Sequence, residues 1–384
     1  MNRALLWALV PLALILAIAV AFLATDPLKP FTGSGPPVEQ LTIERTILDE
    51  HGIGMRVRAA GSEPMNIVQV QVDGAYWNFS QNPEGALDAM DTAWLTIPYP
   101  WVAGEAHHVA FLTNTGAVFE RTIEVAVATP KGSAERINLY VLIGLFVGIV
   151  PIALGMLFYP ALRAGGANAF QFALALTIGL LAFLLIDTIE EGLEFASEAS
   201  PQFQGAALVW LPAALTFAAL MMVSRRNKEA LSGVALATSI AFGIGIHNLG
   251  EGLAIGAAFA TGAAALGSFL VIGFTLHNIT EGIGIAAPMV AERPRLRVFV
   301  ALAALAGLPA IVGIWIGSFA FSAHWAALAM GVGAGAILQV IVEVGAYLIR
   351  KSNASDRGWA NVTTFAGVTI GVLAMYLTAF LVQV

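Results

Sequence analysis

Eight apolar stretches follow Arg136, centred near Ile149, Leu180, Ala213, Ile246, Ile272, Ala310, Ala336 and Val372, and each is long enough to cross a bilayer as a helix. Lipid offers no partner to backbone N–H and C=O groups, so an apolar run of about 20 residues must satisfy them internally. The fold class this dictates is an all-α polytopic membrane bundle over residues 137–384. Composition agrees, since 58% of the 384 residues are hydrophobic and 11% are charged, too few charges for a soluble domain of this length. The bilayer is therefore a partner of the chain, and nothing in it points to nucleic acid.

The placement of the basic residues says more than the net charge of −7. All ten Lys and Arg residues beyond Arg136 fall in alternate connections: Arg163, then Arg225, Arg226 and Lys228, then Arg293, Arg295 and Arg297, then Arg350, Lys351 and Arg357. The intervening connections, near Glu194 to Gln204, Thr261 to Ala265 and Phe321 to Trp325, carry none. The positive-inside rule then sets the basic loops in the cytoplasm and the C-terminus outside, with the chain polytopic in the cell (inner) membrane.

Two segments precede the bundle. Residues 1–25 hold an apolar run from Ala4 to Ala24 behind Arg3, which fits a signal peptide or a signal anchor. Residues 31–130 read differently, as alternating runs such as Gly54 to Arg58, Ile67 to Val72 and Phe119 to Val125, punctuated by Asp73-Gly74, Asn82-Pro83 and Thr115-Gly116. About seven short strands with regular turns predict a small extracytoplasmic β-sandwich of immunoglobulin or fibronectin type. Its adjacent His107 and His108 point to opposite faces of a strand, which favours hydrogen-bonded or solvated side chains over a shared metal.

The fourth and fifth apolar stretches carry one polar motif twice: His247-Asn248-Leu249-Gly250-Glu251-Gly252 and His277-Asn278-Ile279-Thr280-Glu281-Gly282. On a helix His247 and Glu251 lie about 40° apart and Asn248 about 60° beyond, so the three share one arc, and His277, Asn278 and Glu281 repeat it. Ionisable groups at this depth are costly and normally face a cavity, a partner or an ion. Two such arcs face to face would converge imidazoles, carboxylates and amide oxygens suited to a borderline divalent cation. With no cysteine in the chain, there is nothing selective for Cu(I). The alternative is a structural polar network with protonated glutamates; duplication at ligand spacing favours the cation.

The second stretch ends Asp187-Thr188-Ile189-Glu190-Glu191-Gly192-Leu193-Glu194, and Asp187, Glu190, Glu191 and Glu194 share much of one side with Glu198 just beyond. Acids of one sign in a low-dielectric funnel concentrate cations, which makes them candidates for the outer pathway against a solvated helix end. Glu343, near Arg350, reads as an exit ligand or as that arginine's partner, and His324 as interfacial.

From about Gly233 to Phe319 the chain resembles the fourth to sixth helices of the ZIP family of divalent-metal transporters, especially the bacterial GufA-like branch, where the motif reads His-Asn-x-Pro-Glu-Gly. The Gly/Ala-rich run from Gly331 to Glu343 and the eight-span layout extend the likeness over residues 137–384. The resemblance implies a 3+2+3 inverted repeat and a homodimer. It also implies inward transport of zinc, with iron, manganese or cadmium as other substrates, and no organic cofactor. A first metal site of His247, Glu251, His277 and Glu281 is implied, and a second drawing on Asn248 and Asn278. Gly250 and Thr280 stand where the family has proline, and Leu308 precedes Pro309 where relatives place an acid, so one metal rather than two is expected. The loop from Ser224 to Ala230 lacks the histidines of many eukaryotic relatives. A transporter, not an enzyme, is the expectation; a metal sensor and an intramembrane metallohydrolase are the alternatives, the latter lacking a clear general base.

Overall fold

The structure, a computed structural model, describes residues 39–129, 134–226, 233–260, 264–353 and 358–383, with helical residues 13–18, 20, 21 and 25. Most of the leading apolar run, the 261–263 connection, Lys228 and Arg357 lie outside the described residues.

The N-terminal region is all-β. Strands β1 (Leu41–Asp49), β2 (Gly52–Ala59), β6 (Thr92–Ile97) and β5 (Ser80–Asn82) form one antiparallel sheet, and β4 (Ala75–Trp77), β3 (Ile67–Val72), β7 (His107–Thr113) and β8 (Val118–Ile123) the other. That order matches a constant-type immunoglobulin sandwich with one added strand. Eight strands are present where about seven were expected, the surplus arising from β4 and β5 at three residues each, too short to show alternation. Along β2 the buried Ile53, Met55 and Val57 alternate with Arg56 and Arg58, so the pleat sends one set into the core and the other outward. The Asp73-Gly74 pair joins β3 to β4 with both residues at positive φ, 53° and 78°, the backbone that a two-residue hairpin requires.

Among the described residues eight helices are long and apolar enough to cross a membrane: α1 (Ala134–Ala164), α2 (Gly166–Glu198), α3 (Pro201–Arg225), α4 (Gly233–Ala260), α5 (Gly267–Ala291), α6 (Leu296–Ala320), α7 (Ala323–Asn353) and α8 (Val362–Phe380). They coincide with the eight apolar runs. Both motif helices run unbroken through Gly250 and Thr280. The irregular backbone lies in their neighbours instead, as a π-helical turn at Leu145–Ile149 in α1 ahead of Pro151, and as Pro309 inside α6.

The helices pack as two groups. In the first, α4 packs most extensively on α6, and α5 on α1; in the second, α2 packs on α7 and α8, and α3 on α7. Within each group glycines let backbone touch backbone. A Cβ on Gly252 would stand 2.1 Å from the Ala310 carbonyl oxygen, one on Gly155 2.0 Å from that of Ile279, and one on Gly179 2.2 Å from that of Val368. Any larger residue there would force the helices apart. Across the seam glycines meet side chains: Gly243 faces Val340, Gly284 faces Thr177 and Gly250 faces the end of Met330.

The sandwich sits at the arginine-poor end. The Arg58 guanidinium lies 5.6 Å above the Phe203 ring, in the first turn of α3, and Phe203 stacks on His324 at the start of α7 with ring centres 4.5 Å apart. His324 thus packs between the α2–α3 corner and α7, with Ser322 Oγ 3.0 Å from its Nδ1.

Candidate metal centre

The two motif arcs meet at one carboxylate. His247 Nε2 lies 3.0 Å from Glu251 Oε1, and His277 Nε2 makes a short contact with the same oxygen from the neighbouring helix. Candidate ligand atoms of His247, Glu251 and His277 all lie within 4.8 Å of one another, and all three residues are buried. Two imidazole nitrogens on one carboxylate oxygen are held together by protons, and a divalent cation among them would replace those protons.

The paired asparagines explain how the irregular helices are tolerated. Pro151 has no N–H for the carbonyl of Val147, four residues earlier, and the Asn278 amide donates to that carbonyl at 3.0 Å. On the other side, the Asn248 amide donates at 3.0 Å to the carbonyl of Ala306, in the turn before Pro309 and next to the Leu305 carbonyl for which that proline has no N–H. A carbonyl can only accept, so each amide turns its NH2 outward to the neighbouring helix and keeps its Oδ1 for something else. Both Oδ1 atoms are buried and without a hydrogen-bond partner among the described residues. Each motif asparagine thus donates to a carbonyl in the turn before a proline of a neighbouring helix, and in α1 that carbonyl is the one Pro151 leaves without an N–H.

Glu281 stands apart from the group of three. Both its carboxylate oxygens are buried without a hydrogen-bond partner among the described residues, and it lines a small cavity with Leu180, Leu184, Ile244 and Met375. An unpaired carboxylate in such surroundings requires a proton or a cation. The structure therefore brings His247, Glu251 and His277 together and sets Glu281, Asn248 and Asn278 around them as oxygen donors not used by the protein. Imidazole nitrogen with carboxylate and amide oxygen is a donor set that fits zinc and its divalent neighbours. Leu308 is 49% exposed and lies away from this centre.

No protein-family model matches this chain, and neither does any curated protein.

Outside the centre, Asp187 and Glu191 on α2 lie within electrostatic reach of His247 and Glu251, and Glu194 neighbours Glu191. Asp187 and Glu191 are half-buried, whereas Glu190, Glu194 and Glu198 are exposed. Glu191, four residues beyond Asp187, thus continues the line from the centre better than Glu190 does. At the other end Glu343 is buried and accepts a 2.6 Å hydrogen bond from Ser224, while the Arg350 guanidinium lies 6.0 Å over the Tyr347 ring. Nearer the centre on the same helix, Gln339 accepts from Ser239 of α4 at 3.3 Å. Sequence reasoning missed one buried neighbour: Thr188, whose hydroxyl lies 2.8 Å from His247 Nδ1.

In the sandwich His107 is buried, and its Nδ1 donates to Asp73 Oδ2 at 2.8 Å while its Nε2 accepts from the Val102 N–H at 3.3 Å. His108 faces the other way, 3.5 Å from Glu120, so the two histidines form no joint site. Burial pushes the Asp73 carboxyl up, but the His108 N–H, the His107 ring and the Tyr99 hydroxyl outweigh it and hold the carboxyl below its usual range.

Proposed function

We propose that this chain carries divalent metal cations across the cell membrane, zinc foremost with iron, manganese and cadmium in the same donor range, through the centre formed by His247, Glu251 and His277. One observation carries the reading: three ligand atoms within 4.8 Å of one another, surrounded by buried carboxylate and amide oxygens without protein partners, in the interior of a bundle of spanning helices. Structural polar networks satisfy their members; this one keeps acceptors free where a cation can use them.

The reading extends to a path. Glu194, Glu191 and Asp187 supply the approach, with Glu190 and Glu198 adding negative potential at the mouth, and Glu343 with Ser224 receives the ion near the basic end. The arginine-poor end is outside, with the sandwich and the C-terminus, so transport runs inward. The packing suits an inverted 3+2+3 repeat of ZIP type: α1 on α5 answers α6 on α4, and α3 on α7 answers α8 on α2. Movement falls along the seam between the two helix groups, where side chains slide on glycines, rather than within either group, where backbone is locked on backbone.

Uptake of radioactive zinc into proteoliposomes tests the reading. Wild-type protein is expected to fill the vesicles and Glu251→Ala to lose at least 100-fold in initial rate; equal uptake by the two would end it.

A further inference from the structure

Thr188 lies on α2, in the helix group opposite to that of His247, and is 0% exposed. Its hydroxyl oxygen stands 2.7 Å from the Leu184 carbonyl and 2.8 Å from His247 Nδ1. The carbonyl has no proton to give, so the hydroxyl proton is directed to it. The oxygen then offers only lone pairs to the imidazole, and Nδ1 must be the nitrogen that carries hydrogen. Once a cation displaces the proton that Nε2 shares with Glu251, the lone pair of the neutral imidazole is on Nε2, the atom 3.0 Å from that carboxylate. The Thr188 methyl packs 3.7 Å from the position a Cβ would take on Gly333 of α7, and with its two branches so occupied the side chain has one rotamer open to it.

We propose that Thr188 is a positioning residue for the metal centre: it fixes the His247 tautomer that presents Nε2 to the cation, and does so only while the two helix groups are in this register. The inference rests on the cation-transport reading above. Hydrogen-bond partners behind a ligating histidine orient the ring and raise its basicity, and their loss typically weakens metal binding about 10–100-fold. Because the acceptor and the ligand belong to different groups, a relative slide of about 1 Å takes the 2.8 Å contact beyond hydrogen-bonding range. The centre therefore grips the ion in one register and loosens its hold as the groups part, which couples release to movement without any change in the ligand set.

Zinc affinity of the full chain in nanodiscs, together with uptake kinetics, tests this in wild type, Thr188→Val and Thr188→Ser. Thr188→Val keeps the shape and removes the lone pairs; its zinc Kd is expected to rise about 10–100-fold, with the KM for uptake rising in parallel and the maximal rate retained. Thr188→Ser, which keeps the hydroxyl, restores wild-type Kd and KM. Nitrogen-15 spectra of the zinc-loaded protein, assigned for His247 by comparison with His247→Gln, are expected to show a protonated Nδ1 with a metal-bound Nε2 in wild type and loss of that pattern in Thr188→Val. An unchanged Kd in Thr188→Val, an unchanged tautomer, or a fall in maximal rate with Kd and KM untouched each overturns the role of Thr188. Failure of wild type to bind zinc sinks the underlying transport reading instead, so the two failures are told apart.

Discussion

Among the described residues two histidine–carboxylate clusters invite comparison, one around the exposed Asp73 of the sandwich and one buried between α4 and α5, and they differ in what is left over. In the sandwich, Asp73 takes one hydrogen bond from the His108 N–H, one from His107 and one from Tyr99, each at 2.8 Å, and the second nitrogen of His107 accepts from Val102. Donors and acceptors balance, and the cluster ties the β3–β4 turn to the neighbouring strand. Between α4 and α5 the same residue types leave Glu281 and the two asparagine oxygens buried with no hydrogen-bond donor to them among the described residues. Residue identity alone does not separate a structural cluster from a ligand site; the inventory of unspent polar atoms does.

The comparison breaks most readily at Glu251. Glu251→Ala is expected to weaken zinc binding in a calorimetric titration at least 100-fold, since it removes the acceptor both histidines share, whereas His107→Gln leaves zinc affinity within about twofold. Loss of affinity in His107→Gln would mean that the sandwich cluster is the metal site. A smaller effect comes from acid. Imidazole ligands must be neutral to bind a cation, so zinc Kd should rise about tenfold or more between about pH 7.5 and about pH 5.5. A flat profile would show that protons do not compete at the centre.

The sandwich cluster responds with the opposite emphasis, in stability rather than affinity. The Asp73 carboxyl is held below its usual range in the folded state. Its contribution is therefore fully present above the unfolded carboxylate pKa of about 3.9 and is lost as pH falls through the lower folded value. Asp73→Asn keeps a residue that accepts positive φ and removes the charge. With the Asp73 side chain 39% exposed, solvent screens the charge, and the change is expected to cost the sandwich about 0.5–1 kcal/mol at neutral pH, read by hydrogen exchange of the β3 and β7 amides, without altering zinc affinity. The weakest effect belongs to the contact between the two regions. Phe203→Leu, which removes the ring beneath Arg58 but keeps that arginine's ion pair with Glu44, should forfeit about 0.5–1 kcal/mol of docking energy, seen as faster exchange in the first turn of α3, with the zinc centre undisturbed.

Much of this was legible in the residues themselves. Hydropathy marked all eight helices that are long and apolar enough to span, because lipid penalises every polar interruption, and the spacing of His247 and Glu251, with its copy thirty residues on, marked the cluster. Alternation located β2 and β3, while the three-residue β4 and β5 offered no period to read. What stayed hidden depends on contacts between distant residues. Thr188 reaches a histidine 59 positions away, and Asn278 serves a carbonyl 131 positions away that only becomes needy because of Pro151. Neither pairing has a local signature, since an interior threonine that bonds back to its own helix looks the same whether or not a second helix uses its oxygen. The division of the bundle into two locked groups was equally invisible, because glycine content shows that helices approach closely and not which ones.

The central claim is that the twin motifs enclose a cation. The most direct measurement is anomalous diffraction at the zinc edge from crystals of the full chain grown with zinc. The account predicts a peak within bonding distance of His247 Nε2, His277 Nε2 and a Glu251 oxygen, lost in Glu251→Ala. A peak confined to the sandwich, or none between α4 and α5 at saturating zinc, would contradict it.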